Sequence, residues 1–294
     1  MPFTLNRRLL HLHFIVFIWG FTGILGKLID LSVLHLVWYR LILTLAAFCL
    51  LAWYKNEKAV FKPKRKHFLM GAIVLAHWLS FYGAIQLSNV SVTLCAFSST
   101  SLFTALLEPY VFKQKHRPAE FVFSLIVIAG IAYIFKAETQ YVSGILLGIV
   151  AAATGSMFTT FNGLWAKEGG SSMALSFGEL LGAFVFNTVL ILFVPEMTFP
   201  VFDISAANFG WLLLLALGCT VYPFVASIGL MKHLNPFTMS LAVNLEPIYS
   251  IIVALLIFGK SEYMSGDFYV GAAIIFAAVI AYPVWKKRYQ GYSS

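Results

Sequence analysis

The chain has 294 residues, 60% of them apolar and only 11% charged, with a mean hydropathy of +0.86. That balance excludes a water-soluble globule and calls for a polytopic membrane protein. The formal net charge of +8 does not point to nucleic acid, because the cations lie between apolar stretches rather than along an amphipathic groove.

A helix needs about 20 residues to cross roughly 30 Å of hydrocarbon, so this length has room for about ten spans and short connections. The N-terminus, MPFTLNRRLLHLHF, is basic and runs on through Trp19 and Gly20 to Leu28 without a small-residue cleavage pattern. It reads as a retained first helix, not a cleaved signal. Apolar runs and polar punctuation then give ten candidate helices: 10-28, 33-54, 68-87, 91-112, 119-136, 142-163, 173-194, 208-231, 236-258 and 267-285. The expected fold is an all-α membrane protein of ten transmembrane helices. None of the connections is long enough to hide a soluble domain. With the N-terminus inside, 16 of the 20 Lys and Arg residues fall on the inner side; Lys27, Lys136 and Lys260 fall outside, and Arg40 lies within a span. This asymmetry predicts that both termini are cytoplasmic. Cys49, Cys95 and Cys219 sit inside apolar runs with no short spacing, so they read as core thiols and give neither a disulfide frame nor a metal site.

The sequence also repeats itself. NLEPIYSIIVALLIFGKSE, Asn244 to Glu262, echoes STSLFTALLEPYVFKQKH when Pro247 is laid on Ser101, and Glu262 then falls on His116. WGFTGILGK, Trp19 to Lys27, matches TGSMFTTFN, Thr154 to Asn162, while Ser32 to Arg40 matches Ser171 to Glu179 in spacing. The chain therefore divides into two five-helix halves, 1-137 and 138-294. Because five is odd, the halves must be inverted relative to each other, the plan of many secondary transporters.

At 1.5 Å per residue, Glu246, His77, Ser101 and the pair Tyr222-Pro223 all fall roughly 15 Å deep and would form one central layer. Two readings of Glu246 stand: a proton carrier or contact for a substrate amine, or an anchor for backbone groups freed by Pro247. Likewise, His77 is either a proton shuttle or a neutral imidazole bonded to a neighbouring helix. Trp78 and Tyr82 share a helix face and form an aromatic wall or plain packing. Arg40 and Glu179 occupy equivalent places in the two halves, separated by about 10 Å of depth, which rules against a direct pair. Lys27 snorkels, and Asn162 does similar work at the other face. Glu108-Pro109 reads as an interfacial cap. Gly20, Gly23 and Gly26, with Gly144 and Gly148, allow close helix approach. Trp53, Tyr54, Trp211 and Trp285 read as interfacial anchors.

WGFTGILGK in the first helix, Arg40 in the second, SLFTALL in the fourth and the NLEPIYSIIVALLIFGKSE to Gly271 pattern in the ninth together resemble the EamA-type drug/metabolite transporter family. The resemblance implies a ten-helix bundle with a central substrate cavity, alternating access, and export of amino acids or other small metabolites. Substrate contacts would come from His77, Trp78, Tyr82, Ser101, Tyr222 and Glu246, and gating or ion pairing from Trp19, Lys27, Arg40, Asn162, Glu179 and Pro247. Ser101 stands where family members often carry proline and His116 where an acid is usual, so the acid-proline break belongs to the second half only.

No HExxH, GxSxG or P-loop occurs, and His11 and His13 point to different helix faces. The expectation is a non-enzyme without cofactor or metal, a monomer or weak dimer in the lipid bilayer, moving a small metabolite and possibly protons. An exchanger of anionic sugar phosphates is the alternative within the fold; it should carry two or more buried cations in the central layer, whereas Arg40 and Lys27 lie towards the outer face. An intramembrane enzyme or a scaffold remains a different class.

Overall fold

The computed structural model describes residues 2–194 and 204–289; the rest of the connection between the seventh and eighth spans lies outside the described residues. Among the described residues there is no strand. Lipid leaves no other choice to a chain this apolar, since every backbone N–H and C=O must be satisfied within its own segment. The helices are α1 (Pro2–Leu28), α2 (Val33–Tyr54), α3 (Arg65–Leu87), α4 (Val90–Phe97), α5 (Thr100–Val111), α6 (Pro118–Ala137), α7 (Val142–Lys167), α8 (Ser172–Phe193), α9 (Ala206–Leu213), α10 (Tyr222–Met231), α11 (Pro236–Val243), α12 (Glu246–Phe258) and α13 (Gly266–Tyr289). Among the described residues nine spans are long and apolar enough to cross a membrane, and Gly266–Tyr282 is a shorter apolar helix. The protein is thus an all-α membrane protein of about ten helices. Leu256, Ile280 and Val284 are among the exposed apolar side chains, the surface expected against lipid.

Helix starts follow from polar residues placed just before the apolar runs. Ser32 and Ser171 accept from the amides of His35 and Ala174; Asn89 and Asn235 accept from those of Val92 and Thr238. Each is an N-cap, and the caps recur along the chain, Ser32 with Ser171 and Asn89 with Asn235. The packing repeats this. Spans 3 and 7 touch as do 2 and 8, spans 3 and 6 as do 1 and 8, and spans 4 and 6 as do 1 and 9; spans 2 and 7, 4 and 9, and 5 and 10 pair across the middle.

Three spans are not continuous helices, and the sequence predicts a break in only one of them, span 9. Span 9 is broken at Asn244–Leu245, between α11 and α12, so Pro247 sits in the first turn of α12, where its missing N–H costs little. Span 4 is broken at Ser98–Ser99, the position equivalent to Asn244–Leu245 when Pro247 is laid on Ser101. This corrects the expectation of a break in the second half only. The cause is a run of hydroxyls: Ser98, Ser99, Thr100 and Ser101 donate to the carbonyls of Leu94, Ala96, Phe97 and Ser98. Such back-bonding competes with the helix ladder and replaces proline as the breaker. Span 8 contains a π-helical turn, Leu214–Val221, ahead of Pro223. There Thr220 Oγ1 reaches back five residues to the Leu215 carbonyl at 2.7 Å.

Close approach is greatest where α3 crosses α8. A Cβ on Gly182 would run into the Phe68 carbonyl, and one on Gly71 into the backbone at Glu179 and Ala183. Gly182→Ala is expected to force these helices apart at a cost of about 1–3 kcal/mol, read as a lower thermal midpoint in detergent. Gly210→Ala, with nothing within 4 Å of the new methyl, is the neutral control; equal midpoints for the two variants would contradict the packing assignment.

Candidate functional site

A cavity opens at the centre of the bundle, where spans from both halves meet. Its wall takes Trp19 from α1, Arg40 from α2, His77, Trp78, Phe81 and Tyr82 from α3, Phe97 and Thr100 from either side of the span 4 break, Asn162 from α7, and Val243 and Glu246 from either side of the span 9 break. Two broken helices thus face one space, with the polar ends of their half-helices at membrane depth. Backbone without regular partners is tolerated there because it lines a cavity.

Arg40 is buried and held on three sides. Nε donates to Thr220 at 2.9 Å, Nη1 donates to the Tyr82 hydroxyl at 2.7 Å, and the guanidinium lies 3.8 Å from the centre of the Trp78 ring. The π turn aims Thr220 at Arg40, which gives that irregularity a use. Trp78 and Tyr82 do share a face, as their spacing requires, and what they grip is a cation. Arg40 therefore lines the cavity, which corrects the placement that left it too near the outer face for a central role. Glu246, first residue of α12, is buried in the same wall. No ion pair joins the two, and its carboxyl makes no bond to the backbone freed at Pro247, the anchoring role considered for it.

His77 Nδ1 lies 2.8 Å from the Ala151 carbonyl, which calls for a proton on Nδ1 and leaves Nε2 as the acceptor. Its ring is surrounded by Phe81, Phe97 and Phe158. Two expected wall residues lie elsewhere. Ser101 accepts from Asn244 Nδ2 at 3.1 Å and so ties the two breaks together behind the wall. Tyr222 is 44% exposed and its hydroxyl pairs with His11 Nε2 at 2.7 Å, because the π turn rotates it off the inward face.

The ends of the cavity are fastened by two carboxylates. At the face opposite the N-terminus, buried Glu262 receives the Val90 amide, the Ser91 amide and the Ser91 hydroxyl at 3.2, 3.1 and 2.8 Å, and pairs with Lys27 at 2.7 Å. Lys27 is thus an ion-pair partner, not a snorkelling side chain. At the N-terminal face Glu108 receives the Phe237 amide at 2.7 Å. It is a cap, as read, but it caps the helix of another span. Each carboxylate holds the N-terminus of a broken span, where the macrodipole favours an anion. Asn162 Nδ2 donates to Glu179 at 3.1 Å.

Helices of this length around a polar, aromatic-lined centre define a multi-pass membrane protein with a central cavity. Residues 9–136 match the model of the EamA-like transporter family, so this part of the chain is similar to that family. No curated protein matches the chain. Among solved structures, one titled only as the crystal structure of a protein is 14% identical, covers 94% of this chain and 96% of its own, and superposes with a TM-score of 0.72. At that identity the likeness is one of fold.

Proposed function

We propose that the chain is a secondary active transporter that exports small metabolites, amino acids foremost, across the inner membrane by alternating access. Its two halves, 1-137 and 138-294, act as inverted five-helix repeats with both termini cytoplasmic. The matched neighbour pairs and the equivalent breaks in spans 4 and 9 support the repeat. The 16-to-3 distribution of Lys and Arg supports the orientation.

One observation carries the choice of substrate: among the described residues the wall offers a guanidinium whose Nη2 has no protein partner and a carboxyl with none, with aromatic rings around them. A zwitterion meets both charges, its carboxylate at Arg40 and its ammonium at Glu246, while Phe81, Phe97, Phe158 and Phe224 favour an apolar side chain. A sugar phosphate would want two or more cations there, and Arg40 is the sole Lys or Arg of the wall among the described residues. The wall is completed within one chain, so a monomer suffices.

The test is flux in proteoliposomes preloaded with phenylalanine, leucine, methionine, glutamate, lysine or a sugar phosphate. Saturable efflux of the neutral apolar amino acids, exceeding that of the charged ones, is the expected result. Faster sugar phosphate flux would replace the amino-acid reading, and no flux of any solute from folded protein would overturn transport.

A further inference from the structure

Buried polar groups are nearly always hydrogen-bonded, so those that are not deserve an account. Three unpartnered buried atoms gather on adjoining spans: Glu179 Oε1 on α8, Asn162 Oδ1 on α7 and His67 Nε2 on α3. Glu179 has no solvent exposure, and its side chain has a single protein partner, the Asn162 amide. Asn162 in turn lines the central cavity. On the other side, His67 lies against α8 beside Glu179: a Cβ on Gly178 would stand 3.0 Å from the His67 Cβ. The His67 ring also packs 5.0 Å from Trp165, one turn beyond Asn162. By rise along their helices, His67 is about 3 Å and Glu179 about 11 Å from the N-terminal face.

The ionisable groups of the elements around α8 leave Glu179 without a counter-ion. On α2, Arg40 is committed to Thr220 and Tyr82. On α3, His77 is bonded to Ala151, and Lys66 pairs with Glu168 at 2.6 Å; Arg65 starts the same helix and Lys58 lies in the 3-10 turn Lys58–Phe61, both at the N-terminal face. On α10, Tyr222 bonds His11, and on α7, Lys167 ends the helix over the Phe112 ring. A lone carboxylate in this setting is several kcal/mol too costly. The neutral acid, which can release a proton when water or a base arrives, is the form the site accommodates.

We propose that Glu179 is a proton-carrying site of this chain, linked to the cavity by Asn162 and to the N-terminal face by His67. In the step towards that face, the O–H bond of Glu179 breaks and its proton passes by way of water to His67 Nε2. This leaves a carboxylate held by the Asn162 amide and an imidazolium, which then gives its proton to water at the face. Imidazole is suited to the exchange because its two nitrogens can take up and give up a proton in turn. The inference rests on the transporter reading and adds what drives it.

The experiment uses the full chain in proteoliposomes with an internal pH dye, comparing phenylalanine-driven proton flux with phenylalanine counterflow, which needs no net proton movement. Glu179→Gln is expected to abolish the proton flux and flatten the pH profile of net transport while counterflow persists. Unchanged proton flux in that variant overturns the proposal. Should Glu179→Gln not fold, His67→Gln decides: proton flux slower by roughly tenfold or more with intact counterflow supports the relay, and wild-type proton flux overturns it. Wild-type protein without counterflow of any amino acid defeats the transport reading itself, and the proton role falls with it.

Discussion

Glu262→Ala is expected to destabilise the protein by roughly 3–5 kcal/mol, the usual cost of removing one member of a buried ion pair. The change leaves the Lys27 ammonium and the Val90 and Ser91 amides without their acceptor. Lys27 is still 25% exposed and can turn partly to water, which places the cost towards the lower end of that range. Glu262→Gln keeps an acceptor but loses the ion pair and the interaction of charge with the α4 N-terminus, worth about 0.3–1 kcal/mol, so its midpoint should fall between wild type and Glu262→Ala. A cycle with Lys27→Met isolates the pair: the double variant should be less destabilised than the sum of the singles. The functional consequence follows from connectivity. Glu262 closes span 9 and holds the first turn of span 4, so its loss frees the ends of both broken spans at the face opposite the N-terminus. A cysteine placed by Thr22→Cys, on the cavity wall in a background without native cysteines, should then react faster with a membrane-impermeant maleimide added from that face. Unchanged labelling together with an unchanged midpoint would remove Glu262 as a fastening. The N-terminal face has the lighter counterpart for the broken spans, one amide bond from Phe237 to Glu108.

Much of the fold was legible because lipid makes secondary structure follow composition: an apolar stretch of sufficient length has to be a helix. The caps Ser32 and Ser171 could be aligned by eye because capping requires particular residue types at one position. The alignment of Pro247 with Ser101 put the two breaks in register even though it misjudged which spans were broken. That error has a definite source. Proline breaks a helix by removing a donor, which a sequence displays directly, whereas the Ser98–Ser101 run does so only when its hydroxyls turn back onto the chain. The wall of the cavity was legible in part. His77, Trp78, Tyr82 and Glu246 stood out as polar or aromatic residues at central depth, but depth does not fix azimuth, and a π turn of a few residues was enough to carry Tyr222 out of the wall. Glu262 and Glu108 escaped notice as fastenings because their partners are backbone amides 129 and more residues away, and an amide has no sequence signature. Phe97, Phe158 and Phe224 were hidden for the opposite reason: 28 phenylalanines give no means of telling lining from packing.

The charges in the wall lead to a crossed experiment with Arg40→Lys and Glu246→Gln. Lysine keeps the positive charge of Arg40 but cannot donate to Thr220 and Tyr82 together while lying flat on Trp78 and still offering a donor to the cavity. A hydrogen bond to a charged partner is worth about 1.5–3 kcal/mol, so KM for phenylalanine should rise roughly 10- to 100-fold in Arg40→Lys. Glu246→Gln removes the anion facing the substrate ammonium and should raise KM by a similar factor, with the midpoint little changed because the Glu246 carboxyl has no protein partner to lose. The analogues separate the two ends. Phenylpropionate, without the amine, should be sensitive to Arg40→Lys and indifferent to Glu246→Gln; phenethylamine, without the carboxylate, should show the reverse. If each variant weakens both analogues equally, the pair shapes the cavity and does not read the zwitterion. Proton coupling adds a further contrast, since Glu246→Gln should leave the pH profile of residual transport in place while Glu179→Gln removes it. These two buried acids would then have separate tasks, one facing the substrate in the wall and one behind it carrying the proton. That division follows from their surroundings: Glu246 opens onto the cavity with nothing bound to it, whereas Glu179 is walled off with only Asn162 between it and the same space.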